Sequence, residues 1–116
     1  MRSSKPTSLA LLIAAVLLGG CVATTKPLYQ WDSYQTQIHE HFKGASPQAQ
    51  IEALENQLQQ TRASGAAVPP GLHAHLALQY AKVGRVDLMH QQLEAEKALF
   101  PESQPFIDRL LAQSRK

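Results

Sequence analysis

The stretch PGLHAHLALQYAKVGRVDLMHQQLEAEKALFP, residues 70–101, decides the predicted fold of this chain. Leu72, Leu76 and Tyr80 follow one another at steps of four residues, which is typical of the buried face of an amphipathic helix. Gly84 comes directly after this pattern, and glycine readily adopts the left-handed conformation that ends many helices. The first half of the stretch is therefore predicted to be one helix that ends at a tight turn.

A second helix is predicted in the other half of the stretch. Asp87 is expected to be its N-cap, because a short side-chain oxygen can accept a hydrogen bond from an unpaired backbone N–H. The helix reaches Phe100, and Pro101 then ends it because proline cannot continue the hydrogen-bond pattern. The whole stretch is therefore predicted to be a helical hairpin.

The hairpin resembles a tetratricopeptide repeat, a helical hairpin of about 34 residues with a loose residue code. The matching positions are Leu76, Ala77, Tyr80, Gly84, Leu93 and Pro101. In such a repeat the small Ala77 would let the two helices approach closely. His73, Met89 and Glu96 depart from the code, which puts the packing of the second helix in question. A helical hairpin unrelated to this repeat is the alternative.

Three further helices are predicted on either side of the hairpin. The first runs from about residue 32 to residue 43, and its apolar stripe consists of Trp31, Tyr34, Ile38 and Phe42. The next has Ser46 as its N-cap, and its glutamine-rich outer face is expected to be solvated. The last begins at Ser103, with an inner face of Phe106, Ile107, Leu110 and Leu111. One repeat cannot bury its own faces, so the predicted fold is all-α, with about five helices in tetratricopeptide-like hairpins.

Three aromatic residues lie close together before and within the first predicted helix. Tyr29, Trp31 and Tyr34 have two possible roles, a contact with a membrane or partner, or the packing core. We favour the core, with Tyr29 as the most exposed of the three.

The N-terminus has the three-part layout of a secretion signal. Arg2 and Lys5 precede an apolar run at residues 9–18, and Leu-Gly-Gly-Cys follows at residues 18–21. A run of ten residues is about half the length that a membrane-spanning helix needs. One interpretation is an ordinary secretion signal followed by a cysteine that has no special role.

Residues 18–21 resemble the lipobox of bacterial lipoproteins. The resemblance implies cleavage between Gly20 and Cys21, diacylglycerol on the Cys21 thiol, and an acyl chain on the new amine. Residues 1–20 would then be a cleaved signal peptide, residues 21–27 a lipidated tether, and residues 28–116 the helical domain. The resemblance also favours an outer-membrane anchor facing the periplasm over the inner membrane, because Val22 is not the aspartate that retains enteric lipoproteins there.

The charge of the chain argues against nucleic-acid binding, and its cysteine content excludes an internal disulfide. Loss of Arg2 and Lys5 with the signal lowers the eleven basic side chains to nine, which balance the nine acidic ones. A neutral surface of this kind gives no electrostatic footprint for nucleic acid. Cys21 is the sole cysteine, so no disulfide can form within the chain.

A wider resemblance covers nearly all of the predicted mature chain. It rests on Trp31 with Tyr34, on VPPGLHAHL at residues 68–76, and on EAEKALFPES at residues 94–103. These segments resemble an uncharacterised family of small proteobacterial lipoproteins, a domain of unknown function. Its members are commonly encoded beside a lipoprotein similar to the curli secretion pore and a third small lipoprotein. The resemblance implies a location and a set of neighbours, and no established activity.

The sequence predicts no metal or catalytic site. His39 and His41 form one pair and His73 and His75 another, but helical residues two positions apart diverge and cannot share one ion. We find no nucleophile with a neighbouring base and no phosphate-binding glycine loop. No cofactor or small-molecule substrate is therefore expected, apart from the covalent lipid on Cys21.

The predicted function is that of a non-catalytic adapter or assembly factor for an envelope complex, with a curli-pore-like lipoprotein as the suggested partner. One alternative is a pilotin-like lipoprotein that carries a secretin subunit, and another is an envelope hydrolase or ligand carrier. In tetratricopeptide arrays the first helices of successive hairpins line the binding face. On the helix that starts near Gly71, the residues expected to point outward and contact the partner are His73, Gln79 and Lys82, with His75 beside them.

Overall fold

The computed structural model describes residues 26–115. Its α-helices are α1 (Tyr34–Phe42), α2 (Pro47–Ala63), α3 (Leu72–Lys82), α4 (Val86–Leu99) and α5 (Gln104–Gln113), with a 3-10 turn at Pro101–Ser103. The described part of the chain contains no strand, so the predicted all-α class with about five helices is confirmed. The predicted signal peptide and the lipid-bearing Cys21 lie outside the described residues.

The helices pack in chain order. α1 packs on α2, α2 on α3, α3 on α4, and α4 on α5, with the closest packing between α3 and α4. This series of neighbouring contacts is the arrangement that stacked helical repeats use to bury a continuous core. Because α3 lies between α2 and α4, it is the most enclosed of the five helices.

The hairpin of α3 and α4 forms where the sequence predicts it. Gly84 has a φ of +76°, and the backbone N–H of Arg85 donates to the carbonyl of Tyr80 at 2.9 Å, which closes the turn. Ala77, which is 1% exposed, lies among the core residues together with Leu76 and Leu93. The small alanine and the left-handed glycine therefore have the packing and turn roles that the repeat resemblance implies.

The predicted N-cap is correct for α2 and wrong for α4. At α2 the Ser46 hydroxyl accepts a hydrogen bond from the Ala49 N–H at 3.2 Å, as expected of an N-cap. At α4 the N-cap is Arg85, and no side chain caps the helix. Asp87 lies inside the first turn and pairs with the Arg85 guanidinium at 3.1 Å. Its carboxylate still favours the helix, because negative charge is stabilised near a helix N-terminus.

The N-terminus of α3 is capped by a carboxylate from α4. Gly71 precedes α3 and has no side chain to cap it. Glu96, which is 4% exposed, accepts hydrogen bonds from the Gly71 N–H at 2.6 Å and from the Ala74 N–H at 3.3 Å. The repeat code expects a small alanine at position 96. The glutamate there satisfies two backbone donors that would otherwise be unpaired in the interior.

Buried glutamines hold the beginning of α1 on α2. Gln57 is 1% exposed, and its Oε1 accepts a hydrogen bond from the Ser33 hydroxyl at 2.6 Å. Gln50 is also buried, and its amide donates to Gln37 of α1 at 3.0 Å. The expectation that the glutamines of α2 are all solvated is therefore wrong, because α1 covers this part of the helix. α1 itself starts at Tyr34 because Asp32 has a φ of +26°, outside the helical region.

The aromatic residues at the start of the domain pack differently from the prediction. Tyr34 is buried, Tyr29 is half-buried with its ring 6.0 Å from that of Phe100, and Trp31 is 36% exposed. The expected order is therefore wrong, because Trp31 and not Tyr29 is the most exposed of the three. Tyr29 is less exposed than Trp31 because the backbone beside it is fixed. The Gln30 N–H donates a hydrogen bond to the Ala67 carbonyl, which holds Tyr29 against the hairpin. Within residues 26–115, no helix has both the length and the apolar character needed to cross a bilayer.

Candidate functional site

An open cleft lies where α1, α3 and α5 meet on one face of the domain. Its volume is about 390 Å³. α3 supplies the floor through Ala74, His75 and Leu78, and the two walls come from α1 and α5. The apolar wall residues are Ile38, Phe42, Phe106 and Leu110. We call this cleft the groove.

The groove exposes an unusual amount of apolar side chain. Phe42 is 84% exposed, Phe106 58%, Leu78 46% and Ile38 36%. These four residues come from three different helices and surround one concave surface. Exposed apolar residues that occur singly need no explanation, whereas a contiguous set around a cleft is typical of an interaction site.

A second cleft of about 300 Å³ extends the groove on the other side of Leu78. It shares Ala74, Leu78 and Leu110 with the groove, and Met89 of α4 contributes to its lining. The apolar surface is therefore longer than the groove alone.

Helical spacing explains how the sequence builds this surface. In α1, Tyr34, Ile38 and Phe42 are four residues apart, so they share one face. That face begins in the core at Tyr34 and ends in solvent at Phe42. In α5, Ile107 and Leu111 face the core, whereas the preceding positions Phe106 and Leu110 face the groove. The prediction that Phe106 belongs to the inner face is therefore wrong.

Two histidines form the polar part of the groove. The rings of His41 on α1 and His75 on α3 lie 5.1 Å apart, nearly perpendicular to each other. Burial, together with the nearby charges of His41 and Lys82, lowers the pKa of His75 to about 4. His75 is therefore neutral at neutral pH, so it adds no charge to the groove floor.

The groove histidines rest on an incompletely paired polar layer. The Gln79 amide nitrogen lies 3.0 Å from His41 Nδ1, behind the groove surface. Among the described residues, Nε2 of His75 and Oε1 of Gln79 are buried and have no hydrogen-bond partner. Buried polar atoms of this kind are costly, so the contact of α1 with α3 is the least well satisfied part of the domain.

The structure separates the four predicted partner-binding residues. His75 lines the groove, and Lys82 is exposed one turn beyond Leu78 on the same helix. His73 is only 3% exposed, and its Nδ1 lies 2.6 Å from Gln92 Oε1 on α4. Gln79 is 0% exposed. The expectation that His73 and Gln79 point outward is therefore wrong, because α3 has neighbours on both sides and retains only a narrow open strip.

Sequence reasoning did not identify the exposed apolar residues of the groove as a site. Leu78 is an apolar residue that lies off the stripe defining the buried face of α3. This position was the one feature of the sequence that indicated an exposed apolar surface on the helix. The sequence places Phe42 on the apolar stripe of the first helix and Phe106 on the inner face of the last. A periodic pattern shows which side of a helix is apolar but not how far a neighbour covers it.

One histidine from each of the two pairs lies in the groove. His41 and His75 come from different pairs and meet because α1 and α3 face each other. Within residues 26–115, no three His, Cys, Asp or Glu side chains are grouped so that they could hold a metal ion. What the groove offers chemically is apolar contact area with the imidazole edges of two histidines beside it.

Comparisons with known proteins give a family and nothing further. No curated protein and no solved structure matches the chain. The family described as Domain of unknown function (DUF4810) matches residues 28–110, which covers all of the helices up to the middle of α5. The matched range includes every residue that lines the groove. The chain therefore belongs to this family, the domain of unknown function DUF4810.

Proposed function

We propose that this protein is a lipid-anchored periplasmic adapter or assembly factor of an envelope complex, and that it binds a segment of its partner in the groove. The observation that carries the proposal is the group of four large apolar side chains exposed around one cleft by three helices. Leaving these side chains in water has a cost of about 25 cal/mol for each Å² of apolar surface, which a bound partner would remove.

The architecture supports binding over catalysis. The groove lining contains no carboxylate and no hydroxyl nucleophile except the phenol of Tyr34. Burial and the charge of Glu96 raise the pKa of that phenol to about 12, so it is neutral and unreactive at neutral pH. A surface of this composition is suited to hold an apolar segment in place.

The membrane anchor and the partner are proposed from the sequence. Lipid on Cys21 would hold the domain at the outer membrane, and the seven residues 21–27 would keep it within about 25 Å of the bilayer. The family resemblance makes a curli-pore-like lipoprotein the first partner to test. A secretin subunit bound in the groove would instead support the pilotin-like role.

Site-specific photo-crosslinking in living cells tests the proposal. A photo-crosslinking amino acid replaces Leu78 in the groove, and a matched control replaces Glu52, which is exposed on α2. We expect a crosslinked envelope protein from position 78 and none from position 52. Adding Phe106→Ser should abolish the crosslink without changing the melting temperature, because Phe106 is 58% exposed. Crosslinks from position 52 alone would place the interface outside the groove, and crosslinks from position 78 that survive Phe106→Ser would show that the α5 wall does not hold the partner.

A further inference from the structure

We propose that the groove takes an amphipathic α-helix whose apolar stripe is flanked by acidic residues. This inference rests on the proposed function, because it names the chemistry of the partner segment that the groove binds.

The length of the apolar surface suits a helix. The groove and the second cleft together extend along α3 from Ala74 to Ala81, which is about two helical turns or about 10 Å. An apolar helix in a groove of this kind uses anchors at positions i, i+3 or i+4, and i+7.

The lining of the groove carries no negative charge. All nine acidic side chains are among the described residues, and none of them lines either cleft. Glu96 is buried as the cap of α3, and Glu40, Asp87, Glu94 and Asp108 each pair with a basic side chain. Glu55 accepts a hydrogen bond from the Tyr80 hydroxyl.

Positive charge adjoins the groove on two sides. Lys82 follows Leu78 by four residues on α3, and its charge is close enough to lower the pKa of His75. Arg109 follows Phe106 by three residues on α5, which places it on the adjoining strip of that helix. Both residues are exposed, and within residues 26–115 neither forms an ion pair. A helix with acidic flanks would complement them, whereas a helix with basic flanks would be repelled.

A second copy of this chain does not offer such a helix. On α2, Glu52 and Glu55 are exposed, but none of the large apolar residues exposed in the described part of the chain belongs to this helix. On α4, Glu94 is exposed, but the exposed apolar residues Val86 and Leu99 stand at opposite ends of the helix and form no stripe. The large apolar residues exposed on α1, α3 and α5 line the groove itself. The occupant we propose is therefore a segment of a different protein.

Two synthetic peptides test the proposal. Both are helical and carry leucine at positions i, i+4, i+7 and i+11, but one has glutamate and the other lysine at the flanking positions. The full lipidated protein is placed in nanodiscs of zwitterionic phosphatidylcholine, and binding is followed by the fluorescence anisotropy of the labelled peptide. Empty nanodiscs measure the affinity of each peptide for lipid alone.

We expect the glutamate peptide to bind more tightly than the lysine peptide, with the difference shrinking in 0.5 M salt as charges are screened. Replacing Lys82 and Arg109 by glutamate should reverse the preference, by about two- to fivefold for each charge. Arg62→Glu, on the exposed end of α2, should leave the preference unchanged.

Three results would overturn the proposal: no binding of either peptide beyond empty nanodiscs, equal binding of both, or a preference that the double variant leaves unaltered. These results are distinct from failure of the adapter role. Peptide binding without any crosslinked envelope protein at position 78 would refute the adapter role. A crosslinked envelope protein without peptide binding would refute the acidic helix.

Discussion

Removal of the Glu96 carboxylate is the perturbation whose consequence the structure determines most directly. Glu96→Ala leaves the N–H groups of Gly71 and Ala74 without acceptors in the interior of the domain. A side-chain cap contributes about 0.5–2 kcal/mol, and hydrogen bonds to charged groups contribute about 1.5–3 kcal/mol each. Removal of a buried charge offsets part of this loss, because that charge is itself costly to desolvate. We therefore expect Glu96→Ala to lower the free energy of unfolding by about 2–4 kcal/mol.

Thermal and urea unfolding followed by circular dichroism will measure this effect. A loss of 1 kcal/mol lowers the melting temperature of a domain of this size by about 4–8 °C, so the expected decrease is at least about 8 °C. Glu96→Gln should lose about half as much, because its amide oxygen can still accept one N–H. Glu94→Ala is the matched control on the same helix, since Glu94 is exposed and pairs only with Lys97. A Glu96→Ala variant that melts within 2 °C of the wild type would refute the capping role.

The remaining predictions concern the anchor, the hairpin and the groove floor. Cys21→Ser should abolish acylation, and an intact mass that still includes acyl chains would contradict the lipoprotein assignment. Leu76→Ala should cost about 2–5 kcal/mol, because Leu76 is 1% exposed in the core. Gly84→Ala should cost about 1–2 kcal/mol, because space surrounds its Cβ position and only the positive φ opposes a side chain. An unchanged urea midpoint in either variant would argue against the hairpin packing. The lowered pKa of His75 predicts stability that is complete above the usual histidine pKa of 6.5 and is lost as the pH falls towards 4, because the unfolded chain takes up the proton first. His75→Asn should remove this part of the pH dependence, and identical stability profiles for the two proteins would contradict it.

The helical hairpin was predictable because its signals are local. The spacing of Leu72, Leu76 and Tyr80, the glycine at the turn and the proline at the end each act within a few residues of where they stand. The N-cap at Ser46 is equally local, since its hydroxyl needs only the next helical turn. These features require no knowledge of how the helices are arranged in space.

The groove and the Glu96 cap were not predictable because both depend on which helices become neighbours. His73 and Gln79 are buried because α3 is flanked on both sides, although their positions on the helix allow an outward orientation. Phe106 remains exposed because α5 is the last helix of the series, so no following helix covers its outer side. Glu96 caps a helix whose first residue is 24 positions away, a relation that no short pattern encodes.

The serial packing of the helices has a consequence for how the domain loses structure. In an array where each element contacts only its neighbours, the terminal elements unfold first and the centre last. α1 and α5 are the terminal helices, and they are also the two walls of the groove. A segment seated between them would join the two ends of the array through a contact that the free chain lacks. Occupation of the groove should therefore slow amide hydrogen exchange at both ends together, and make the unfolding of the whole domain more cooperative.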